Sequence, residues 1–223
     1  MKILGLTGLK GSGKSTASSI LKKEYHEVIE VALASHLKNV CSEVLDIPRD
    51  LFDARDKKEK ELDTFVHFNV HTITSILNKF DILEVPKSKI SPHLGVVLKT
   101  PRQVAQYVGT EILRLESPNI HCATLFKTME PGKTYIVSDI RFPNELEYFS
   151  LKPNVTFKCF HIKNPAAELY SKNKDMHASE SLVLETAKKA VTIDNSGSID
   201  LFRKNILKAV SSFMESSYGK QTN

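Results

Sequence analysis

Gly8-Leu9-Lys10-Gly11-Ser12-Gly13-Lys14-Ser15 decides how the rest of the chain is read. The spacing is G-x-x-x-x-G-K-S/T, a loop that cradles phosphate when it joins a strand to a helix. Both flanks fit. Ile3-Leu4-Gly5-Leu6 is a short apolar run of strand type, and Ser15 to Lys23 reads as a helix. Gly8, Gly11 and Gly13 let the backbone curl until its N–H groups, those of Lys10 and Ser12 included, converge on phosphate oxygens. The helix N-terminus adds a positive dipole end. Lys14 is then placed for the β- and γ-phosphates, Ser15 for Mg²⁺ and Thr16 for a further phosphate. A nucleoside triphosphate such as ATP, with Mg²⁺, is the expected ligand; the loop does not fix the chemistry.

Working outward, Glu27 to Ala32 reads as a second strand and Ser35 to Leu45 as a helix with Leu37, Val40, Cys41, Val44 and Leu45 near one face. Residues 49–63 are charge-rich, an exposed helix or a helix with a turn. Phe65 to Phe80 shows mostly helical spacings, and 84–99, with two prolines, reads as a surface loop. Thr100-Pro101-Arg102-Gln103 is a helix start with capping-box chemistry, and that helix is predicted to run to about Leu115. A further helix follows over 118–129. Thr134 to Ser138 is a buried strand ending at Asp139, and Thr156 to Ile162 is another. Residues 163–180 are polar with few apolar anchors. Ala190 to Ile193 is a short strand, and Ser198 caps a last helix with Ile199, Phe202, Ile206, Val210 and Phe213 on one stripe. Strands alternating with helices predict an α/β fold with a parallel sheet covered on both faces, interrupted by a helical insertion.

Asp139 closes an apolar strand, near the edge where ligands bind in open α/β sheets. It can hold Mg²⁺ through water, or cap a turn. Arg141, two residues on, has the planar fork that suits phosphate.

Among 223 residues, 31 Lys/Arg against 26 Asp/Glu give a net charge of +5. Eleven Lys/Arg against seven Asp/Glu place +4 of that excess in residues 151–223. There is no dense basic stripe, so composition argues for a phosphate-bearing small ligand more than for nucleic acid. No apolar run approaches the roughly 18 residues that a membrane span needs. Cys41, Cys122 and Cys159 form no C-x-x-C pair, which points to a reducing compartment, the cytoplasm.

Two patterns mislead. Asn78-Lys79-Phe80-Asp81 matches the guanine-reading N-K-x-D of GTPases, but it ends a helical pattern where a buried strand is needed, and Asp139-Ile140-Arg141-Phe142 lacks the Gly of D-x-x-G. His177 and Glu180 stand at i, i+3 without a nearby third ligand, which argues against zinc.

The chain resembles the phage-type deoxynucleoside monophosphate kinases, a branch of the P-loop nucleotide kinases, over roughly residues 1–213. The resemblance rests on Gly8 to Thr16; on Ala32-Leu33-Ala34-Ser35-His36-Leu37-Lys38; on Arg102-Gln103-Val104-Ala105-Gln106-Tyr107-Val108-Gly109-Thr110-Glu111 followed by Arg114; on Ser138-Asp139-Ile140-Arg141-Phe142-Pro143-Asn144-Glu145; on His177-x-Ser179-Glu180; and on Asn195-Ser196-Gly197-Ser198. Three departures stand out. Ser15 takes the place of an Asp common in the family, Ile112 that of an aromatic, and Lys163, Lys172 and Lys174 that of lid arginines.

The resemblance implies a three-layer P-loop kinase fold. A single domain covers 1–215, with an acceptor-binding insertion over about 35–130, a lid over about 163–180 and a frayed tail from 216. It implies transfer of the γ-phosphoryl group of ATP to a (deoxy)nucleoside monophosphate. Lys14, Asp139 and Arg141 are the catalytic candidates; Lys38, Arg102, Gln106, Glu111, Arg114 and Arg141 the acceptor candidates; Asn195 and Gly197 candidates for the donor base. Gln103 and Gln106 can each read a base edge, and Gln103 is also the capping partner, which favours Gln106. The expected partners are nucleotides, with no membrane and, by analogy, a second copy of the chain. Expected localisation is cytoplasmic, in a host cell if the protein is viral. Two other readings stay open: a same-fold kinase acting on a hydroxyl, of a metabolite or of a modified base in DNA, and a P-loop ATPase switch without an acceptor.

Overall fold

The computed structural model describes residues 1–54, 56–172 and 178–216, without the side chains of 170–172 and 178–181. Its first elements are β1 (Lys2–Thr7), α1 (Lys14–Glu24), β2 (Val28–Val31) and α2 (Ala34–Leu45). There follow β3 (Val66–His67), α3 (Val70–Asn78), α4 (Lys87–Ile90), β4 (Val97–Leu98) and α5 (Pro101–Tyr107), which continues as a π-helix over Val108–Arg114. The rest are α6 (Ile120–Lys127), β5 (Thr134–Ile140), α7 (Pro143–Ser150), β6 (Thr156–Lys163), α8 (Pro165–Lys172), α9 (Ala178–Ala187), β7 (Val191–Asp194) and α10 (Ile199–Glu215). Two compact units result: residues 1–33 with 128–223, and residues 34–127.

The first unit is built on a five-stranded parallel sheet in the order β2-β5-β1-β6-β7. β1 is buried along its whole length, as a central parallel strand covered on both faces must be. On one face Leu4, Leu6, Ile136, Phe160 and Ile162 pack against Ala17 and Leu21 of α1 and the α10 stripe Phe202, Ile206, Val210 and Phe213. Each of those large α10 side chains contributes about 1.5–3 kcal/mol by leaving water. Ile199, expected on that stripe, is 59% exposed because it opens the helix beyond the sheet's reach. On the other face Phe149 of α7 lies 5.7 Å from Phe157 of β6, ring to ring. The α/β fold with a parallel sheet between helices is therefore as the sequence indicates.

The second unit is mainly helical around one core that includes Leu37, Val40, Phe52, Phe68, Ile73, Ile76, Phe80, Val104, Val108 and Leu113. Here the sequence reading needs correction. Phe65 and Phe68 are not helical: Val66 and His67 pair antiparallel with Leu98 and Val97, and the helix begins only at Val70. Asn69 caps it, its side chain accepting the Thr72 N–H at 2.9 Å. The stretch 84–99 is not a plain loop, since it holds α4, a 3₁₀ turn (Ser91–His93) and β4. The described residues of 49–63 form one 3₁₀ turn (Arg49–Phe52) and tight turns, with no α-helix among them. Three helices of the first unit, α7, α8 and α9, have no counterpart in the sequence reading. His177 and the tail from 217 lie outside the described residues, as does the middle of the expected lid.

Candidate functional site

The glycine-rich loop leaves the C-terminal end of β1, the central strand. Its φ angles are +150° at Gly8, +82° at Gly11 and +105° at Gly13, all positive. At Gly13 space is also short: a Cβ there would lie 2.5 Å from Asn195 Nδ2. That amide donates to the Ser12 carbonyl at 2.8 Å, while the Asn195 backbone N–H donates to Lys163 O at 2.8 Å. Inside the loop, Ser12 N donates to Leu9 O at 3.1 Å. Lys14 Nζ donates to Gly8 O at 2.5 Å and Leu9 O at 2.9 Å, so the ammonium is held across the loop. No side chain caps α1 and no acid sits in its first turn, where Ser15 and Thr16 are exposed. Helix N–H groups, curled backbone, lysine and hydroxyls together form a cradle that fits a polyphosphate. Thr7 Oγ1, Ser12 Oγ and His161 Nδ1 are buried beneath it without a hydrogen-bond partner. Burial holds the His161 ring below the usual imidazole range; Lys14 and Lys163 act in the same direction and Glu168 against it.

Asp139 lies in β5, the neighbour of β1, and Arg141 is the first residue beyond it. Pairing runs Gly5 with Val137 and then Thr7 with Ile140, so β5 carries one extra residue and bulges at Ser138–Asp139. A bulge re-aims side chains at a strand end. Asp139 Oδ1 accepts the Leu33 N–H at 2.7 Å. Arg141 is fixed through its peptide. Glu145, 1% exposed, accepts the N–H groups of Arg141 and Phe142 on one oxygen at 2.7 and 3.0 Å. Thr186, from α9, donates to the Arg141 carbonyl at 2.8 Å. Gly197 stands in the turn before α10, over Leu201.

The remaining candidates lie on the second unit. Thr100 and Gln103 form the expected capping box: Thr100 Oγ1 accepts Gln103 N at 3.2 Å, and Gln103 Oε1 accepts Thr100 N at 3.2 Å and Lys99 N at 3.0 Å. Gln103 is thereby occupied, and Gln106, one turn on, is half-buried. Arg102 Nε lies 2.6 Å from Glu59. Lys38 Nζ lies 2.9 Å from Asp53, which Arg49 also holds. The segment around 49–60 thus supplies carboxylates to two candidate cations. Sequence reasoning missed these contacts because ion pairs between loops leave no local pattern.

Gly109, Glu111 and Arg114 sit in the π-helix, a wide turn that is rare and concentrated at functional sites. Gly109 lies close to α2: a Cβ there would meet Leu37 Cδ2 at 2.8 Å, so the leucine would have to shift. Its carbonyl accepts from His121 Nε2 at 3.2 Å. Glu111 is exposed, and Arg114 donates to Pro118 O at 2.9 Å.

No family model matches the chain. A protein of Acanthamoeba polyphaga mimivirus named "Putative deoxynucleotide monophosphate kinase" is 25% identical over 224 residues, covering 94% of this chain and 96% of its own. Among solved structures, dephospho-CoA kinase from Campylobacter jejuni aligns over 96% of this chain and 98% of its own, at 15% identity and a TM-score of 0.41. A sugar kinase from Janibacter sp. aligns over 94% of each chain at 11% identity and a TM-score of 0.39. The fold and the site define a protein with a phosphate-binding loop on the central strand of a parallel sheet. Within that class the chain resembles the deoxynucleotide monophosphate kinases, and the viral match extends the resemblance along nearly its whole length.

Proposed function

We propose that the protein transfers the γ-phosphoryl group of ATP to a deoxynucleoside or nucleoside monophosphate, releasing the two diphosphates. The observation that carries this reading is the pairing of β1 with β5. It sets the phosphate loop with Lys14 beside a strand end that bears Asp139 and a doubly anchored Arg141.

Phosphoryl transfer asks mainly for positioning and for neutralisation of spread negative charge. The acceptor phosphate, with a second pKa near 6, is largely dianionic at neutral pH, so no strong general base is required. In this reading the loop N–H groups and Lys14 hold the donor phosphates, and the Asn195 amide keeps the loop in shape. Arg141 stabilises the acceptor phosphate and the charge that develops between the two. Mg²⁺, held by Ser15 and Asp139, would screen the donor oxygens from the incoming anion. Lys38, Arg102 and Arg114 are further acceptor cations and Gln106 the base reader, with Glu111 beside them in sequence. Lys38 and Arg102 are paired with Asp53 and Glu59, so an acceptor phosphate would exchange with those carboxylates.

The test is ATP consumption against a panel of free deoxynucleoside and nucleoside monophosphates, hydroxyl-bearing metabolites and duplex DNA. Turnover with monophosphates alone, with diphosphate as product, is the expected result. Turnover only with a hydroxyl acceptor or with DNA overturns it. Among the described residues no helix is long and apolar enough to cross a membrane.

A further inference from the structure

α9 carries a fully buried polar side chain, Thr186. Thr186 is 0% exposed, and its hydroxyl proton is shared between the Arg141 carbonyl at 2.8 Å and the Leu182 carbonyl, one turn back, at 2.9 Å. The second bond is a common habit of threonine in helices. The first is not local, for it spans 45 residues and ends on the peptide that carries the candidate acceptor arginine. The N–H of that same residue is held by Glu145 of α7. Two helices therefore grip Arg141 from opposite ends of its own backbone.

α9 also reaches the donor side. Val183, three residues before Thr186 and so on the same helical face, is buried with Leu9 of the phosphate loop and Ala167 of α8. One helical face thus touches the loop at one position and the Arg141 carbonyl at the next.

We propose that Thr186 is a positioning residue for Arg141: through its hydroxyl, α9 sets the register of the acceptor-side guanidinium against the phosphate loop. The inference rests on the phosphotransferase reading given above. Nothing in the motifs that carry the family resemblance includes position 186.

Thr186→Val keeps the side-chain shape and removes the donor. The Arg141 carbonyl then lacks this partner, and the loop that carries the guanidinium gains freedom. Small misplacements of a charge-stabilising group are costly in the transition state, so kcat with a monophosphate should fall about tenfold. The affinity for ATP without acceptor, read by calorimetry, and the slow hydrolysis of ATP in water should both stay within about twofold, which a general loss of structure would not allow. Thr186→Ser retains the hydroxyl and should recover most of the rate. Should the valine variant fail to fold, Thr186→Cys, close in shape and with only a weak donor, serves in its place.

The deciding comparison uses Arg141→Ala. If Thr186 acts through Arg141, adding Thr186→Val to Arg141→Ala costs nothing further, because residues that act as one unit are not additive. An undiminished tenfold loss in that background overturns the proposal, as does a Thr186→Val enzyme with unchanged kcat. If Arg141→Ala itself leaves kcat/KM for the monophosphate intact, the acceptor reading fails first and this inference falls with it.

Discussion

Asn195 and Ser12 stand 183 positions apart in the chain, and the side-chain amide of one lies 2.8 Å from the backbone carbonyl of the other. The carbonyl sits where the phosphate loop tightens towards Gly13, so the amide braces the turn that must present its N–H groups. Asn195→Ala should weaken ATP binding about fivefold to tenfold, the worth of one such bond, with little change in thermal stability. Asn195→Asp should be worse, because a carboxylate cannot donate and would oppose both the carbonyl and the phosphates. Calorimetric titration with ATP decides; an unchanged Kd in both variants refutes the bracing role.

Lys14→Ala should abolish turnover and leave the fold intact. The side chain donates to the Gly8 and Leu9 carbonyls of its own loop, and the loop adds little to the core. Removing a phosphate clamp that is fully engaged in the transition state costs on the order of several kcal/mol, a loss of 100-fold or more. A variant that keeps more than about a tenth of the activity would show that the lysine is not that clamp.

Asp139 separates two roles by two substitutions. Asp139→Asn preserves an oxygen for the Leu33 N–H, so the strand ends should stay aligned. Asp139→Ala leaves that N–H without this acceptor and should cost about 1–2 kcal/mol in urea unfolding besides its effect on rate. Both should slow transfer, and part of the asparagine variant's loss should return at raised Mg²⁺, since a weakened metal site fills by mass action. An asparagine variant that stays inactive at saturating Mg²⁺, with ATP binding intact, would point to proton abstraction from a hydroxyl acceptor.

His121 gives the pH prediction. Burial, the larger cause, and the nearby Arg114 push its pKa down from 6.5 to about 4. Its Nε2 donates to Gly109 O, and Nδ1 is buried without a partner, so a second proton has nowhere to go. The folded pKa lies below the unfolded one. The unfolded chain therefore binds more protons between the two values, and stability falls as pH drops from about 6.5 towards 4. This group alone should make the protein about 2 kcal/mol less stable at pH 5 than at pH 7. His121→Gln, which retains a donor for Gly109, should flatten that part of the profile in urea titrations at the two pH values. An unchanged slope would mean that other groups set it.

How legible the molecule is in its sequence depends on the range of the interactions. The phosphate loop, the Thr100 capping box and the α10 stripe from Phe202 to Phe213 are local patterns, and each appears in the structure where the spacing puts it. β3 was hidden because two residues are too few to show a period of two, while Phe65 and Phe68 happen to stand at a helical distance. α7 carries a local signal in Pro143, in its first turn, and Glu145, at the third position, whose carboxylate folds back on the preceding N–H groups. Thr186 gave none, since its meaning lies in a carbonyl on another element. The same is true of Glu59 and Asp53, whose cations are distant in sequence. The π-helix is the extreme case: the segment from Thr100 to Arg114 has one unbroken helical pattern, and the widening near Gly109 follows from packing against Leu37 and His121.

That widened turn also fixes a phase. A π-turn holds one residue more than an α-turn, so the side chains before it and after it are offset by one position from the rhythm of an ordinary helix. A full turn is a full turn with or without the extra residue, so deleting a single residue between Val108 and Arg114 would let the segment close as α-helix with Arg102, Gln106 and Arg114 pointing nearly as before. The extra residue therefore adds girth at Gly109 and leaves the aim of the side chains on either side untouched.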